Sequence, residues 1–294
     1  MAETDRFPAP SLTDRLTAGT FTALMAGLRL LPYGSRVELS GRFFSRVVAP
    51  LAGWRRRIRD NLALVLPDLP EAEVERLVRA VPDNIGRTLA EIFSGPEFVA
   101  RCRDLPLQGP GAALLEQLHA EGKGAVLVTG HFGNYDAVRG GLSGRGYNIG
   151  GLYRPMRNRD FNTRYVDAIE GVAKPLFARS KRGMTQMMRF VREGGMIGLA
   201  IDQYLGAGTD LTFFGRTART ALSAADIALR YEVPLLPIFA TRQPDGLSFA
   251  IEVEEPIPQG TPEAMCQAFN DRLEARVRAH PEQWFWIHRR WKNR

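Results

Sequence analysis

Two cysteines and four histidines in 294 residues leave little material for metal chemistry or disulfide stapling. Cys102 and Cys266 lie far apart and share no metal-ligand spacing, which excludes a disulfide framework and fits a reducing compartment. A long apolar run is missing as well. The stretch Ala18–Leu31 is interrupted by Arg29 and closed by Pro32-Tyr33-Gly34, short of the ~20 apolar residues that a spanning helix needs. It reads as an interfacial or half-inserted helix, or as an ordinary buried one. The chain opens MAETDRFPAP, with Glu3 and Asp5 where a secretory signal carries basic residues, and no small-residue cleavage pattern follows. Export by that route is not expected. The Gly-x-Ser-x-Gly elbow of a serine hydrolase is absent, as are zinc-finger spacing and a recognisable RNA-binding motif, internal repeats and low-complexity linkers. Acidic residues are outnumbered, 32 against 39 Lys and Arg, for a formal net charge of +7. That balance favours an anionic partner: nucleic acid, an anionic membrane surface or a phosphorylated substrate.

At 45% apolar composition the chain can bury a sizeable core. The first hundred residues read as helical: Ala18–Leu31, an apolar stretch around Phe43–Leu51, Trp54–Leu66 and Glu71–Phe98, with Pro67, Pro70 and Pro82 as breaks or kinks. Trp54 beside Arg55-Arg56-Arg57 and Arg59 suits the headgroup region of an anionic bilayer; a solvated helix start accounts for the same residues. After Gly109-Pro110-Gly111 short apolar strands alternate with helices. Strands are expected at Ala125–Thr129, Ile149–Tyr153, Pro175–Ala178, Met196–Ile201 and Val233–Thr241, and a half-exposed strand where Leu247, Phe249, Ile251 and Val253 alternate with polar or small residues. Helices are expected at Asn134–Leu142, Asn158–Glu170, Gly183–Glu193, Ala221–Tyr231, Pro262–Ala279 and Glu282–Trp291. The methionines of the Gly183–Glu193 helix, on one face with Val191, read as core. The alternation predicts an α/β fold, a mostly parallel central sheet flanked by helices, with an N-terminal helical membrane-associating segment. The division is 1–108 for the helical region and 109–294 for the α/β domain.

One of the four histidines, His131, falls at the end of the first of these strands in TGHFGNYDAV (129–138). In α/β sheets binding groups collect where strands end and helices begin. A His bonded to a carboxylate holds one tautomer and becomes a better general base, and Asp136 is in place to supply that carboxylate. Gly130 and Gly133 let the backbone turn tightly and a substrate approach. The plain alternative is that Asp136 favours the first turn of the next helix while His131 satisfies a loop hydrogen bond.

His131 and Asp136 match the His-x4-Asp/Glu motif of the glycerolipid acyltransferase superfamily, and HFGNYD resembles the HFGNWE form of the lipid A biosynthesis late (lauroyl-type) acyltransferases. Asp136 is shorter than the Glu common in that branch. "LYRPMRN" (152–158), "IDQ" (201–203), "FFGRTART" (213–220), "VPLLPI" (233–238) and "PEQWFWIHRRWK" (281–292) resemble further blocks in the family's order. The resemblance implies an acyltransferase that moves a fatty acyl group from an acyl carrier protein thioester to a hydroxyl of a lipid A precursor. Another glycolipid or a lysophospholipid is the alternative acceptor, and a basic membrane-binding protein the non-enzymatic reading. His131 is then the base and Asp136 its orienting carboxylate. Gly133, Asn134, Arg154, Arg157, Asp202, Gln203, Phe214 and Arg219 are the expected substrate-binding residues, with Arg154 on an anionic part of the substrate and Phe214 as an acyl-chain wall. Arg154, Arg157 and Arg159 also read as a solvated loop, Asp202 and Gln203 as a strand end, and Trp284, Trp286, His288, Arg289 and Arg290 as a packed terminal helix. No metal or cofactor is expected, because a thioester is already activated. The expected partners are the carrier, the anionic glycolipid and the cytoplasmic face of the inner membrane, without nucleic acid.

Overall fold

In the computed structural model, which describes residues 9–292, the chain begins with helices α1 (Leu12–Leu28), α2 (Tyr33–Phe43), a π-helical segment (Phe44–Val48), α3 (Ala49–Leu51), α4 (Trp54–Val65), α5 (Glu71–Ile92) and α6 (Pro96–Arg103). Glu3 and Asp5, which argued against a secretory signal, lie outside the described residues. The alternating part follows: β1 (Leu107–Gln108), α7 (Ala112–Ala120), β2 (Ala125–Thr129), α8 (Tyr135–Gly144), β3 (Ile149–Tyr153), α9 (Arg159–Val172), β4 (Leu176–Ala178), α10 (Lys181–Arg192) and β5 (Met196–Ala200). The chain continues with β6 (Thr209–Phe213), β7 (Arg216–Thr220), α11 (Ser223–Arg230), β8 (Leu235–Arg242), β9 (Phe249–Val253) and α12 (Pro262–Ala279).

The main sheet has the order β1-β9-β8-β2-β5-β3-β4, parallel at every pairing except β8 with β9. All five residues of β2 are buried because helices cover both faces. The strand's twofold alternation divides it between two cores. Val126 and Val128 join a cluster with α4, α5, α10, α11 and α12, while Ala125 and Leu127 join one with α6, α7, α8 and α9. The N-terminal helices thus take part in the packing of the sheet: Ile58 and Leu62 of α4 and Leu77 of α5 are fully buried in the first cluster.

Two expectations need correction, and one element lies where none was expected. The helix from Glu71 ends at Ile92 and runs through Pro82 without a break; Val81 and Pro82 are both buried, and tertiary packing offsets the lost backbone bond. Residues 209–220 form an antiparallel hairpin, β6–β7, whose two turn residues Phe214 and Gly215 both have positive φ (54° and 66°), the conformation of a type I′ turn. The expected helix Glu282–Trp291 is absent: beyond the 3-10 turn Pro281–Gln283 the segment is irregular, and a bridge joins Trp284 to Phe132. Its tryptophans are claimed by the interior instead. Trp284, Trp286 and Trp291 pack with Phe213 and Phe214, and Asn61 of α4 donates to the carbonyls of Trp286 and His288 at 2.6 and 2.9 Å.

Among the described residues no helix is long and apolar enough to cross a membrane. Among the described residues the exposed large apolar side chains are Leu12, Leu16, Leu30, Leu31, Leu39, Val47 and Leu51, within α1 to α3 and their connections.

Leu62→Ala is expected to cost about 2–5 kcal/mol of unfolding free energy, the usual range for truncating a buried Leu. Because α4 shares its core with the sheet, urea denaturation followed by tryptophan fluorescence and by circular dichroism should show one coincident, shifted transition.

Candidate active site

Parallel register brings two distant residues side by side. Thr129 at the end of β2 pairs with Ala200 at the end of β5, so the residues two beyond each strand end, His131 and Asp202, meet at the carboxyl edge of the sheet. Asp202 Oδ1 accepts from His131 Nδ1 at 2.7 Å, and Oδ2 accepts from the His131 backbone N–H and from Trp284 Nε1, both at 2.9 Å. The carboxylate is only 2% exposed and is matched by these three donors. Burial works against its charge, but His131, by charge and hydrogen bonds, and Trp284 hold its pKa well below the usual carboxylate range.

With Nδ1–H committed to Asp202, the basic lone pair of the imidazole sits on Nε2, on the side of a cavity of about 940 Å³ that His131 lines. Gln203 Nε2 stands 3.3 Å from His131 Nε2, a long contact that an incoming hydroxyl could replace. Burial disfavours the imidazolium. The Asp202 charge and hydrogen bond, with the charge of Asp136 added, outweigh it and raise the His131 pKa above its ordinary value. His288, which lines the same cavity, is shifted the other way: burial pulls it down to about 4, and its Nε2 accepts the Tyr204 backbone N–H at 2.9 Å.

Asp136 does not hold His131. Its Oδ1 accepts from Arg139 Nη1 at 2.6 Å, one turn along α8, while its buried Oδ2 makes no hydrogen bond among the described residues. As the second residue of α8 its backbone N–H is bound by Asn134 Oδ1 at 3.1 Å, so the carboxylate is drawn toward the helix and Arg139 rather than back over the turn. It lines the cavity beside Tyr135 and Tyr165, whose hydroxyls burial pushes up, Tyr165 to about 12.

The other expected contacts separate into two groups. Arg154, exposed at the end of β3, and Gln203 line the cavity, whereas Arg157 is exposed outside it. Gly133 and Asn134 face the protein interior. Gly133 has φ +56°, and a Cβ there would lie 1.9 Å from the Ala240 carbonyl oxygen. Asn134 caps α8 and donates to Glu91 at 2.8 Å, itself bound by Arg242 at 2.5 Å. Phe214 is buried in the tryptophan cluster and Arg219 braces the hairpin through Asp210 at 3.1 Å, so neither lines the cavity. The backbone amides of residues 131 to 134 are all engaged, by Asp202, Gly130, Gln283 and Ala240. Gln203 is therefore the donor best placed to meet a developing negative charge beside His131.

Trp284 and His288 belong to a segment read as packed in preference to catalytic; Trp284 is packed, and beyond packing their N–H and lone pair are committed to Asp202 and Tyr204. Met184 of the α10 stripe also reaches the cavity, while Met187 and Val191 are core as expected. Leu127, Val138, Ile149, Ile169, Leu176 and Ile238 give the cavity an apolar interior.

By proton-detected titration the His131 ring should lose its proton above pH 6.5, and His288 well below it. Asp202→Asn should move His131 downward, since burial then acts with less opposition. A midpoint unchanged in that variant would show that Asp202 is not the controlling charge.

A sequence profile of the family described as Bacterial lipid A biosynthesis acyltransferase matches residues 11–293. The chain is 26% identical to the phosphatidylinositol mannoside acyltransferase of Mycobacterium tuberculosis (strain CDC 1551 / Oshkosh), over 97% of this chain and 91% of that protein. It is 24% identical to the lipid A biosynthesis acyltransferase of Haemophilus influenzae, over 92% and 85% of the two chains. To the lipid A biosynthesis lauroyltransferase of Escherichia coli K12 it is 23% identical, over 81% and 78%.

Proposed function

Because the chain belongs to the bacterial lipid A biosynthesis acyltransferase family, we propose that it transfers a fatty acyl group from an acyl carrier protein thioester to a hydroxyl of an anionic glycolipid, with a lipid A precursor as acceptor. The observation that carries the reading is the His131–Asp202 pair, which leaves Nε2 basic at the wall of a large, partly apolar cavity. His131 Nε2 takes the hydroxyl proton as the acceptor oxygen attacks the thioester carbonyl. Asp202 keeps the ring in its working tautomer and stabilises the imidazolium. The amide of Gln203 donates to the oxyanion. Collapse of the tetrahedral intermediate breaks the C–S bond, and the departing thiolate takes the proton back from His131.

Arg154 meets a phosphate of the acceptor at the cavity mouth, and the apolar interior takes the acyl chain. Asp136 keeps a role in this scheme through its charge, which adds to that of Asp202 at His131. The exposed apolar side chains of residues 12–51 rest on the cytoplasmic face of the inner membrane, where the acceptor is presented. The likeness to the mycobacterial enzyme supports a second acceptor, a mannosylated phosphoinositide, with the same chemistry.

Acyl transfer from a panel of carrier thioesters, read by mass spectrometry, tests both. Product on the lipid A precursor alone selects the first acceptor, and product on the mannoside alone the second. Product on a lysophospholipid alone would reject both acceptors, and no product on any of them from folded protein would reject the enzyme reading. His131→Ala and Asp202→Asn should each lower kcat by about 10²–10⁴-fold, and Gln203→Ala by about 10²–10³-fold. Asp136→Asn retains the Nδ1 bond and should shift the acid limb of kcat/KM less than Asp202→Asn does. Full activity in Asp202→Asn would overturn the assignment of the pair.

A further inference from the structure

A second concavity, about 840 Å³, lies behind the 131–134 loop. Asn84 and Gln283, which line it, are bound to the carbonyl and amide of Gly133 at 3.2 and 2.9 Å. His131 lines only the other cavity. Its wall carries seven arginines against three carboxylates, and the arginines differ in what they are bound to. Arg242 is held by Glu91, Arg87 by Asp83, Arg76 by Glu73 and Glu282, and Arg42 by Glu38. The remaining three have no carboxylate among the described residues. Arg46 and Arg79 are exposed, and the buried Nε of Arg55 has no hydrogen-bond partner.

Ser45 gathers these three. Its hydroxyl donates to the Arg79 carbonyl at 2.7 Å, its carbonyl accepts from Arg55 Nη2 at 3.1 Å, and Arg46 follows it in the chain. The residue belongs to the π-helical segment, a helical irregularity of the kind that often marks functional sites. These three arginines, from separate elements, line one hollow with no carboxylate bound to them, and guanidinium groups match the oxygens of a phosphate ester. Beside them, Leu39, Val47 and Leu51 stand 47%, 41% and 85% exposed on the same stretch of chain. An acidic protein would leave these side chains without apolar cover; a bilayer takes them up.

We infer that this groove is a second lipid site, which holds the phosphate headgroup of an anionic membrane phospholipid and anchors the protein at a fixed orientation, apart from the reacting acceptor. The inference rests on the membrane-facing reading of residues 12–51 given above.

The test is co-sedimentation of the full chain with phosphatidylglycerol vesicles. Arg46→Gln/Arg79→Gln is compared with Arg182→Gln/Arg192→Gln, which removes the same charge from exposed positions on α10. The groove variant should bind at least about tenfold more weakly than wild type, with the control close to wild type. Equal weakening in both variants would reduce the effect to net charge and overturn the site, as would unchanged binding of the groove variant. Displacement from the vesicles by millimolar inorganic phosphate would point to a free phosphate ligand and overturn the lipid assignment. If the groove variant binds vesicles normally but loses transfer from the carrier thioester in detergent, the groove is the carrier's. Failure of wild type to bind vesicles at all would sink the membrane-facing reading itself, while acyl transfer in detergent would still report on the His131 site.

Discussion

A buried carboxylate with three donors organises the carboxyl edge of the sheet. Ionised Asp202 could not remain in an apolar interior without compensation, and the compensation comes from three directions: the His131 backbone, the His131 ring and the Trp284 indole. Two of the donors belong to His131 and the third to a residue 82 positions beyond Asp202. The same contacts that make the charge tolerable therefore tie the ends of β2 and β5 to the segment after α12. They also determine which nitrogen of the imidazole is basic.

The loop that carries His131 is held equally firmly from behind. Glu91 of α5 accepts from Asn134 and from Arg242, and Arg242 also donates to Asn84 at 2.7 Å. Gly133 fits against the Ala240 carbonyl only because it lacks a Cβ. Helix α5 thus backs the sheet's loop as well as its core. The two hollows on either side of this loop are lined by different residues and differ in chemistry, one partly apolar and carrying His131, the other lined with guanidinium groups.

Much of the architecture was legible because the signals were local. The nearly all-apolar AVLVT, the helix starting near Asn134 and the alternation at 249–253 each depend on immediate neighbours. His131 was legible for the same reason, as a rare residue at a strand end. Its partner was not. Spacing along the chain favoured Asp136, five residues on, whereas the bond goes to Asp202 through the register of two parallel strands that no local pattern encodes. The C-terminal segment failed differently. WFWIHRRW has the composition of an amphipathic helix, and only the demands of the interior, Trp284 by Asp202, Trp291 by the Phe213 carbonyl and Asn61 by two backbone carbonyls, draw it into an irregular path. Phe214 and Arg219 lay in a matching block for reasons of hairpin geometry, which a motif cannot distinguish from contact with a ligand.

The Trp284–Asp202 bond also sets an order of events during synthesis. The two residues are separated by 82 positions, so a ribosome completes β2, β5 and the whole of α12 before the indole becomes available. A growing chain that already contains His131, Asp136, Asp202 and Gln203 still has a carboxylate short of one donor and a strand-end loop without its Phe132–Trp284 bridge. The strand-end loop and the Asp202 carboxylate are completed late and together, when the aromatic segment closes over the sheet.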